Sequence, residues 1–346
     1  MEPSDKIFVT GSTGFIGTRL VAALTDRGHS VRALSRRENP EPPPGWEGED
    51  EGPLQHDLVE LVRGDVTDRE SLARGMEGCT YVFHLAGYAK NWARSRKTYH
   101  DVNVEGVRNV LDAAGKSGIK RVVGTSTIAT LGPTLRGAVG NEDMPRINER
   151  FFTDYEETKT LGERLMIERA KEGFPVVVVN PTRVYGPGHL TEANSLARLI
   201  DDYDRGKFPV LLNGGVNVGN YVFVDDVVQG HLLAMEKGRI GDRYILGGKN
   251  VSLKEFFHTV DEISGKRHFQ IPIWWLSPMV FAYFMKFRAT LFGIYPQITP
   301  GWIRTYTTEA NFSSDKAVSE LGYEPTPLRE GIRITYEWLM RIRNET

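Results

Sequence analysis

Six short runs of β-branched and other apolar residues, separated by stretches with helical spacing, dictate most of what the first half of this chain can become. The runs are KIFVT (6–10), SVRALS (30–35), LVELVRG (58–64), YVFHLAG (81–87), RVVGTST (121–127) and PVVVVN (175–180). Helical patterns lie between several of them, at 15–27, 68–76, 97–117 and 154–172. A strand that is apolar along its whole length has to be buried on both faces, and intervening helices supply that cover. The pattern predicts a doubly wound (Rossmann) α/β fold built on a parallel sheet. Beyond residue 185 the alternation loosens into longer loops and aromatic clusters, which predicts a smaller C-terminal substrate-binding lobe over 185–346. Residues 1–184 are then expected to form the first domain, with return segments over 215–248. Residues 38–53, ENPEPPPGWEGEDEGP, break the pattern and predict an exposed, mobile loop.

The first strand runs directly into TGSTGFIG, which sets Gly11, Gly14 and Gly17 at G-x-x-G-x-x-G spacing. Such a turn lets backbone approach a pyrophosphate that rests on a helix N-terminus, where free amides and the helix dipole favour anions. A strand before the glycines and a helix after them is the context that a dinucleotide site needs. The second strand should end near the adenosine ribose. An acid there would hold the 2′-hydroxyl of NAD(H), the second-choice cofactor, but the chain has Arg36 and Arg37. A guanidinium can bind a 2′-phosphate bidentately, so NADP(H) is the expected cofactor. Asp65, after the third strand, could accept from the adenine amine. Ala86 and Gly87, after the fourth, would let the cofactor come close.

Whole-chain properties narrow the class. With 346 residues, the chain is long enough for one large domain plus an appendage. A net charge of −2 and 25% charged residues give no general affinity for nucleic acid. One cysteine, Cys79, excludes an internal disulfide and is compatible with a reducing compartment. The opening MEPSDKIFVTGSTG enters a strand within six residues and leaves no room for a signal peptide, so a cytoplasmic protein is expected. The segment 271–296 is crowded with aromatics, but Pro278, Lys286 and Arg288 interrupt it, and its unbroken apolar stretch is too short to span a membrane. Its expected place is in or over a pocket, with Trp274, Trp275, Phe281, Phe284, Phe287 and Phe292 as lining. A partner surface and shallow membrane contact are the other readings.

Residues 153–162, TDYEETKTLG, place Tyr155 and Lys159 one helical turn apart. Taken alone, that spacing fits either a Tyr at a core edge beside a solvated Lys or a proton-transfer pair.

The ordered set TGSTGFIG, GDVTD, FHLAG, NVEGVRN, VVGTSTIATLG, YEETK, NPTRVYGPG, YVFVDDVVQGH and SSDKAVSELGYEPTPLREGI resembles the extended short-chain dehydrogenase/reductase (NAD-dependent epimerase/dehydratase) family over essentially the whole chain. The resemblance is nearest to the dihydroflavonol reductase-like and hydroxysteroid dehydrogenase-like members. It implies that Tyr155 is the general acid/base, with its pKa lowered by Lys159 and the nicotinamide. Thr127 would orient the substrate oxygen, with Ser126 as the alternative hydroxyl, and Asn103 would assist the lysine. It further implies cofactor contacts from Thr13, Phe15, Ile16, Val66, Leu85, Thr125, Pro181 and Val184, and substrate contacts from Tyr88, Trp92, Ser126, Thr127 and Asn180. No metal is implied. A homodimer through the helices at 97–117 and 154–172 is.

The expected reaction is hydride transfer between NADP(H) and a ketone or secondary alcohol of an apolar small molecule. Two alternatives remain. One is a nucleotide-sugar epimerase, dehydratase or reductase with tightly bound NAD(P), for which Arg94, Arg96 and Arg183 could bind phosphate and which HLAGYAKNWARSRKTYHDVNVEG and STIATLG also resemble. The other is a non-catalytic NADP(H)-sensing protein, though such proteins typically lose the Tyr/Lys pair kept here.

Overall fold

A computed structural model describes the chain except for Pro3, residues 47–51, Glu149, residues 208–209 and residues 345–346. Twelve strands are present among the described residues: β1 Lys6–Thr10, β2 Ser30–Ser35, β3 Val59–Arg63, β4 Tyr81–His84, β5 Arg121–Thr125, β6 Val176–Pro181, β7 Arg183–Tyr185, β8 Val210–Leu212, β9 Val218–Phe223, β10 Arg243–Leu246, β11 Lys249–Ser252 and β12 Ile271–Ile273. The α-helices are α1 Phe15–Thr25, α2 Arg69–Met76, α3 Arg96–His100, α4 Gly106–Lys116, α5 Asp154–Lys171, α6 Ser195–Asp204, α7 Val224–Lys237, α8 Leu253–Ser264, α9 Leu276–Phe292, α10 Pro300–Thr307, α11 Asp315–Leu321 and α12 Leu328–Asn344.

Seven strands form one parallel sheet in the order β10-β6-β5-β4-β1-β2-β3. The all-apolar runs occupy its centre, and every residue of β6 is buried, as burial on both faces requires. One face packs on α1 and α7 through Leu20, Leu24, Val227 and Leu232. The other packs on α2, α4 and α5 through Leu72, Val110 and Met166. A second core, with Tyr203, Phe256, Phe257 and Trp338 among its members, joins α6, α8 and α12 to β7 and β9. Strand order reverses between β1 and β4, and ligands of doubly wound sheets bind at the strand ends beside such a reversal.

Local signals explain the element that carries the Tyr/Lys pair. Thr153 caps α5 by accepting from the Glu156 amide at 3.0 Å, and Asp154, Glu156 and Glu157 put negative charge in the first turn. The helical run expected at 97–117 is present, but a π-helical stretch over Asp101–Glu105 divides it, and Asn103 sits inside that stretch.

The 38–53 segment departs from its expectation. Pro40, Pro43, Gly52 and Pro53 are buried, and the Trp338 indole donates to the Pro44 carbonyl at 2.9 Å. This part of the loop is therefore docked on α12 rather than free. Residues 47–51 of the same segment lie outside the described residues.

Candidate active site

A cavity of about 560 Å³ lies at the strand ends beside the reversal. Gly11 follows β1 with φ +72, and a Cβ there would come within 2.6 Å of the Ala86 amide. A Cβ on Gly17 would lie 2.0 Å from the Gly11 carbonyl. Both positions therefore need glycine, so that the first turn of α1 can pass close to the end of β4. The Thr10 hydroxyl pairs with His84 Nδ1 at 2.8 Å and accepts from the Ala86 amide at 3.2 Å, which ties the two loop starts together. His84 is buried, which pushes its pKa down to about 3 and leaves the ring neutral.

The cavity wall contains Gly11, Thr13, Gly14, Phe15, Ile16 and Gly17 from the glycine turn. It also contains Arg36, Asp65, Val66, Leu85, Ala86, Gly87, Tyr88, Thr125, Pro181 and Val184. Asp65 Oδ1 accepts from the Thr67 amide and hydroxyl at 2.9 and 2.8 Å, and its Oδ2 stands 4.0 Å from Arg36 Nε. Arg37 is exposed and off the wall. Its charge bears on His189 instead, where together with burial it lowers the imidazole pKa. The glycine-lined cradle and the free amides at the start of α1 fit a dinucleotide pyrophosphate.

Tyr155, Lys159, Thr127 and Ser126 all reach the same cavity. Thr127 Oγ1 accepts from the Ala129 amide at 3.3 Å, and Thr127 lies beside the Tyr155 phenol, whose pKa it lowers. Burial raises the Tyr155 pKa more than the Thr127 hydrogen bond lowers it. The direction is opposite to the one expected from a neighbouring ammonium because burial dominates. Lys159 Nζ donates to the Thr125 carbonyl at 2.7 Å. Burial also lowers the Lys159 pKa to about 8, against the opposing attraction of Glu163.

A pH prediction follows for catalysis in the reductive direction. Lys159 carries its proton below about pH 8 and loses it above, whereas Tyr155, its pKa raised from the ordinary tyrosine value, stays protonated throughout that range. The expected kcat/KM is flat up to about pH 8 and then falls roughly tenfold per unit. In Lys159→Arg the falling limb should leave the accessible range, since a guanidinium does not titrate there. An unchanged limb in that variant would count against the assignment.

Several expected contacts are arranged differently. Asn180 is fully buried and off the cavity wall, because its Nδ2 is directed inward to the Thr127 carbonyl at 3.1 Å and to Glu163 at 2.7 Å. It holds the Thr127 backbone rather than facing a substrate. Trp92 is also off the wall and packs edge-on against Tyr295, with ring centroids 5.8 Å apart. Asn103 Oδ1 accepts from the Tyr88 amide at 2.7 Å, and its Nδ2 donates to Thr158 at 3.0 Å, so it latches the Tyr88 backbone to α5. None of Trp274, Trp275, Phe281, Phe284, Phe287 and Phe292 lines the cavity; all six are exposed. The aromatic wall comes instead from Phe152, Trp302, Tyr306 and Phe312.

One buried carboxylate escaped the reading of the sequence. Glu163, four residues beyond Lys159, accepts from Thr130 at 2.9 Å, from Asn180 at 2.7 Å and from the Ser126 hydroxyl. Arg243 on β10 closes the cluster with an ion pair of 2.9 Å to Glu163 Oε1. Ser126 is thus turned into this network, and the Thr127 hydroxyl is the one beside Tyr155. The i, i+4 step from Lys159 was a usable signal for Glu163. Arg243 gave none.

A glycine-cradled dinucleotide site at the switch point of a parallel sheet, with Tyr, Lys and Thr converging on one cavity, defines an NAD(P)-dependent oxidoreductase of the extended short-chain dehydrogenase/reductase type. The profile of the NAD dependent epimerase/dehydratase family matches residues 7–247, and the chain belongs to that family. It is 31% identical to "Putative dihydroflavonol 4-reductase" of Synechocystis sp., over 97% of this chain and 94% of that one. It is 30% identical to "Sterol demethylase protein B" of Methylococcus capsulatus, over 95% and 97%. Among solved structures it superposes on MoeE5 in complex with UDP-glucuronic acid and NAD with a TM-score of 0.74, at 26% identity over 97% and 99% of the two chains.

Proposed function

We propose that the protein is an NADP(H)-dependent reductase that transfers hydride between the nicotinamide and a ketone or secondary alcohol of a fairly apolar small molecule. The convergence of Tyr155, Thr127 and Lys159 on a cavity whose aromatic wall is Phe152, Trp302, Tyr306 and Phe312 carries this reading. The names of two relatives, a dihydroflavonol reductase and a sterol demethylase component, point the same way. In this reading residues 1–184, with return segments over 215–248, hold the cofactor, and 185–346 supply the substrate lobe.

When bound, NADPH supplies the hydride. Thr127 and Tyr155 offer two hydroxyls to the carbonyl oxygen. Tyr155, held protonated by burial, gives up its proton as charge develops on that oxygen. The Lys159 ammonium, fixed on the Thr125 carbonyl, stabilises the phenolate left behind. Glu163 and Asn180 keep the Thr127 segment in register with α5.

The preference for NADP(H) over NAD(H) rests on Arg36, whose exposed guanidinium lies on the cavity wall beside Asp65. Arg36→Ala should erase most of the discrimination, by roughly 10- to 100-fold in relative affinity. Fluorescence titration with NADPH and NADH measures it, and tighter NADH binding by the unaltered protein would refute the argument.

A nucleotide-sugar reading draws support from Arg183. Its guanidinium lies on the cavity wall between the Tyr221 and Tyr306 rings, in space that a side chain at Gly219 would fill. Its Nη1 and Nη2 are already committed to the Tyr221 hydroxyl and the Thr305 carbonyl, which weighs against a phosphate partner. Arg96 is paired with Asp154 and Glu157. An NADPH-oxidation screen over apolar ketones, aldehydes and nucleotide sugars separates the two readings. Epimerisation of a nucleotide sugar without net NADPH consumption would overturn the reductase.

The reading includes a cytoplasmic homodimer paired through the helices at 97–117 and 154–172. Partly exposed Leu165 and Ile167 on α5 leave apolar surface for that pairing.

A further inference from the structure

No helix among the described residues is long and apolar enough to cross a membrane. One helix nevertheless carries an apolar face that the fold does not cover. α9 buries Met279, Ala282, Met285 and Ala289 against the body of the protein. At 3.6 residues per turn, Leu276, Val280, Tyr283, Phe284, Phe287 and Leu291 form a stripe on its opposite side. All six are exposed, Val280 and Phe287 by 64% each. Trp274, 78% exposed, and Trp275 extend the stripe at the helix start. Scattered exposed apolar residues are ordinary on a protein surface, but a contiguous aromatic stripe marks an interaction site.

The charges around the stripe say what covers it. Between Glu262 and Glu309 the sequence contains no Asp or Glu, while it contains Lys266, Arg267, Lys286, Arg288 and Arg304. Lys266 is neutralised by Asp204, and His268 is paired with Asp261. Arg267, Lys286 and Arg288 have no carboxylate partner among the described residues. On the helical wheel exposed Lys286 lies on one side of the stripe, past Met279, and half-buried Arg288 lies on the other, between the stripe and the exposed Phe281 and Phe292. Unpaired cations bordering an exposed aromatic face are the arrangement of a helix that lies in the plane of a bilayer, with its rings among the acyl chains and its basic heads at lipid phosphates. Contact with a second copy through the same face would bring Lys286 and Arg288 of both copies together, with like charges facing.

We infer that α9 and the Trp274–Trp275 pair dock the protein on an anionic lipid surface. The inference rests on this face and its flanks, and holds whatever the substrate is. Docking would also set the cavity beside the bilayer. α9 packs against α10, with Arg304 donating to the Tyr283 hydroxyl at 3.3 Å, and α10 contributes Trp302, Thr305 and Tyr306 to the cavity wall. Past the end of α9, Tyr295 donates to Glu192 at 2.6 Å, and Glu192 lines the same cavity.

Co-sedimentation of the full-length protein with vesicles tests this. Phosphatidylcholine vesicles with a minority of phosphatidylglycerol should pellet the protein at least about tenfold more effectively than phosphatidylcholine alone. The double variant Phe284→Ser/Phe287→Ser should lose pelleting on both. Lys286→Glu/Arg288→Glu should lose only the preference for phosphatidylglycerol. Thermal unfolding and NADPH titration confirm that both variants are folded, since none of these residues lines the cavity. Failure of the unaltered protein to pellet with the anionic vesicles overturns the inference. So does a dimer on size exclusion that Phe284→Ser/Phe287→Ser converts to a monomer without any vesicle binding, which would make the face a subunit contact.

Discussion

Replacing Tyr155 by Phe is expected to lower kcat for ketone reduction on the order of 10³-fold, or about 4 kcal/mol of transition-state stabilisation, while NADPH binding stays within about twofold. The substitution deletes one oxygen and keeps the ring, so the half-buried packing at the start of α5 is preserved. In the proposed reaction the missing oxygen is the proton donor, and it is also the group whose pKa the neighbouring Thr127 lowers. Transfer of hydride would then leave an alkoxide without the phenol that would have given it a proton. Stopped-flow reduction and a fluorescence titration of NADPH separate the two effects. Turnover within tenfold of the unaltered protein would show that another group delivers the proton.

Glu163→Ala should cost about 3–5 kcal/mol of stability, because it removes the buried carboxylate that half-buried Arg243 pairs with and leaves that guanidinium only the Glu142 carbonyl. Ser126, Thr130 and Asn180 lose their shared acceptor at the same time. For a chain of this size that corresponds to a fall in Tm of roughly 4–7 °C. Glu163→Gln keeps an acceptor oxygen and the side-chain volume while removing the charge, so it should lie between the two. Differential scanning calorimetry on the three proteins measures this. Equal Tm values for Glu163→Ala and the unaltered protein would mean that Arg243 finds another partner. The same variant should slow the reaction, since Asn180 and Thr130 hold the Thr127 carbonyl in place through this cluster.

The parts of the site legible in the sequence are those set by local geometry. Gly11 and Gly17 are demanded by the passage of one backbone against another, and the strand before and helix after them show where that passage occurs. Tyr155 and Lys159 share a helix face by spacing alone, and the cavity contains both. Asn180 shows the limit of such reasoning. A position at the end of β6 brings it near the cavity, but only the buried Glu163 carboxylate decides that its amide turns inward. Trp92 was expected at the substrate, and only the chain near Tyr295, far away in sequence, turns it aside.

The alternation of apolar strands with amphipathic helices determined by itself that this chain winds a parallel sheet, because period and burial are coupled within each element. It also determined the cofactor cradle, because the glycines act on their own turn. Tertiary structure alone decided that Arg243, eighty residues from Glu163, closes the cluster behind Thr127. It likewise decided which side of α9 is covered. Helical periodicity states that Met279, Ala282, Met285 and Ala289 share one face and Val280, Phe284 and Phe287 another, but both faces are apolar. Which of them the body of the protein buries depends on the surfaces that meet there, and those come from segments distant in the chain.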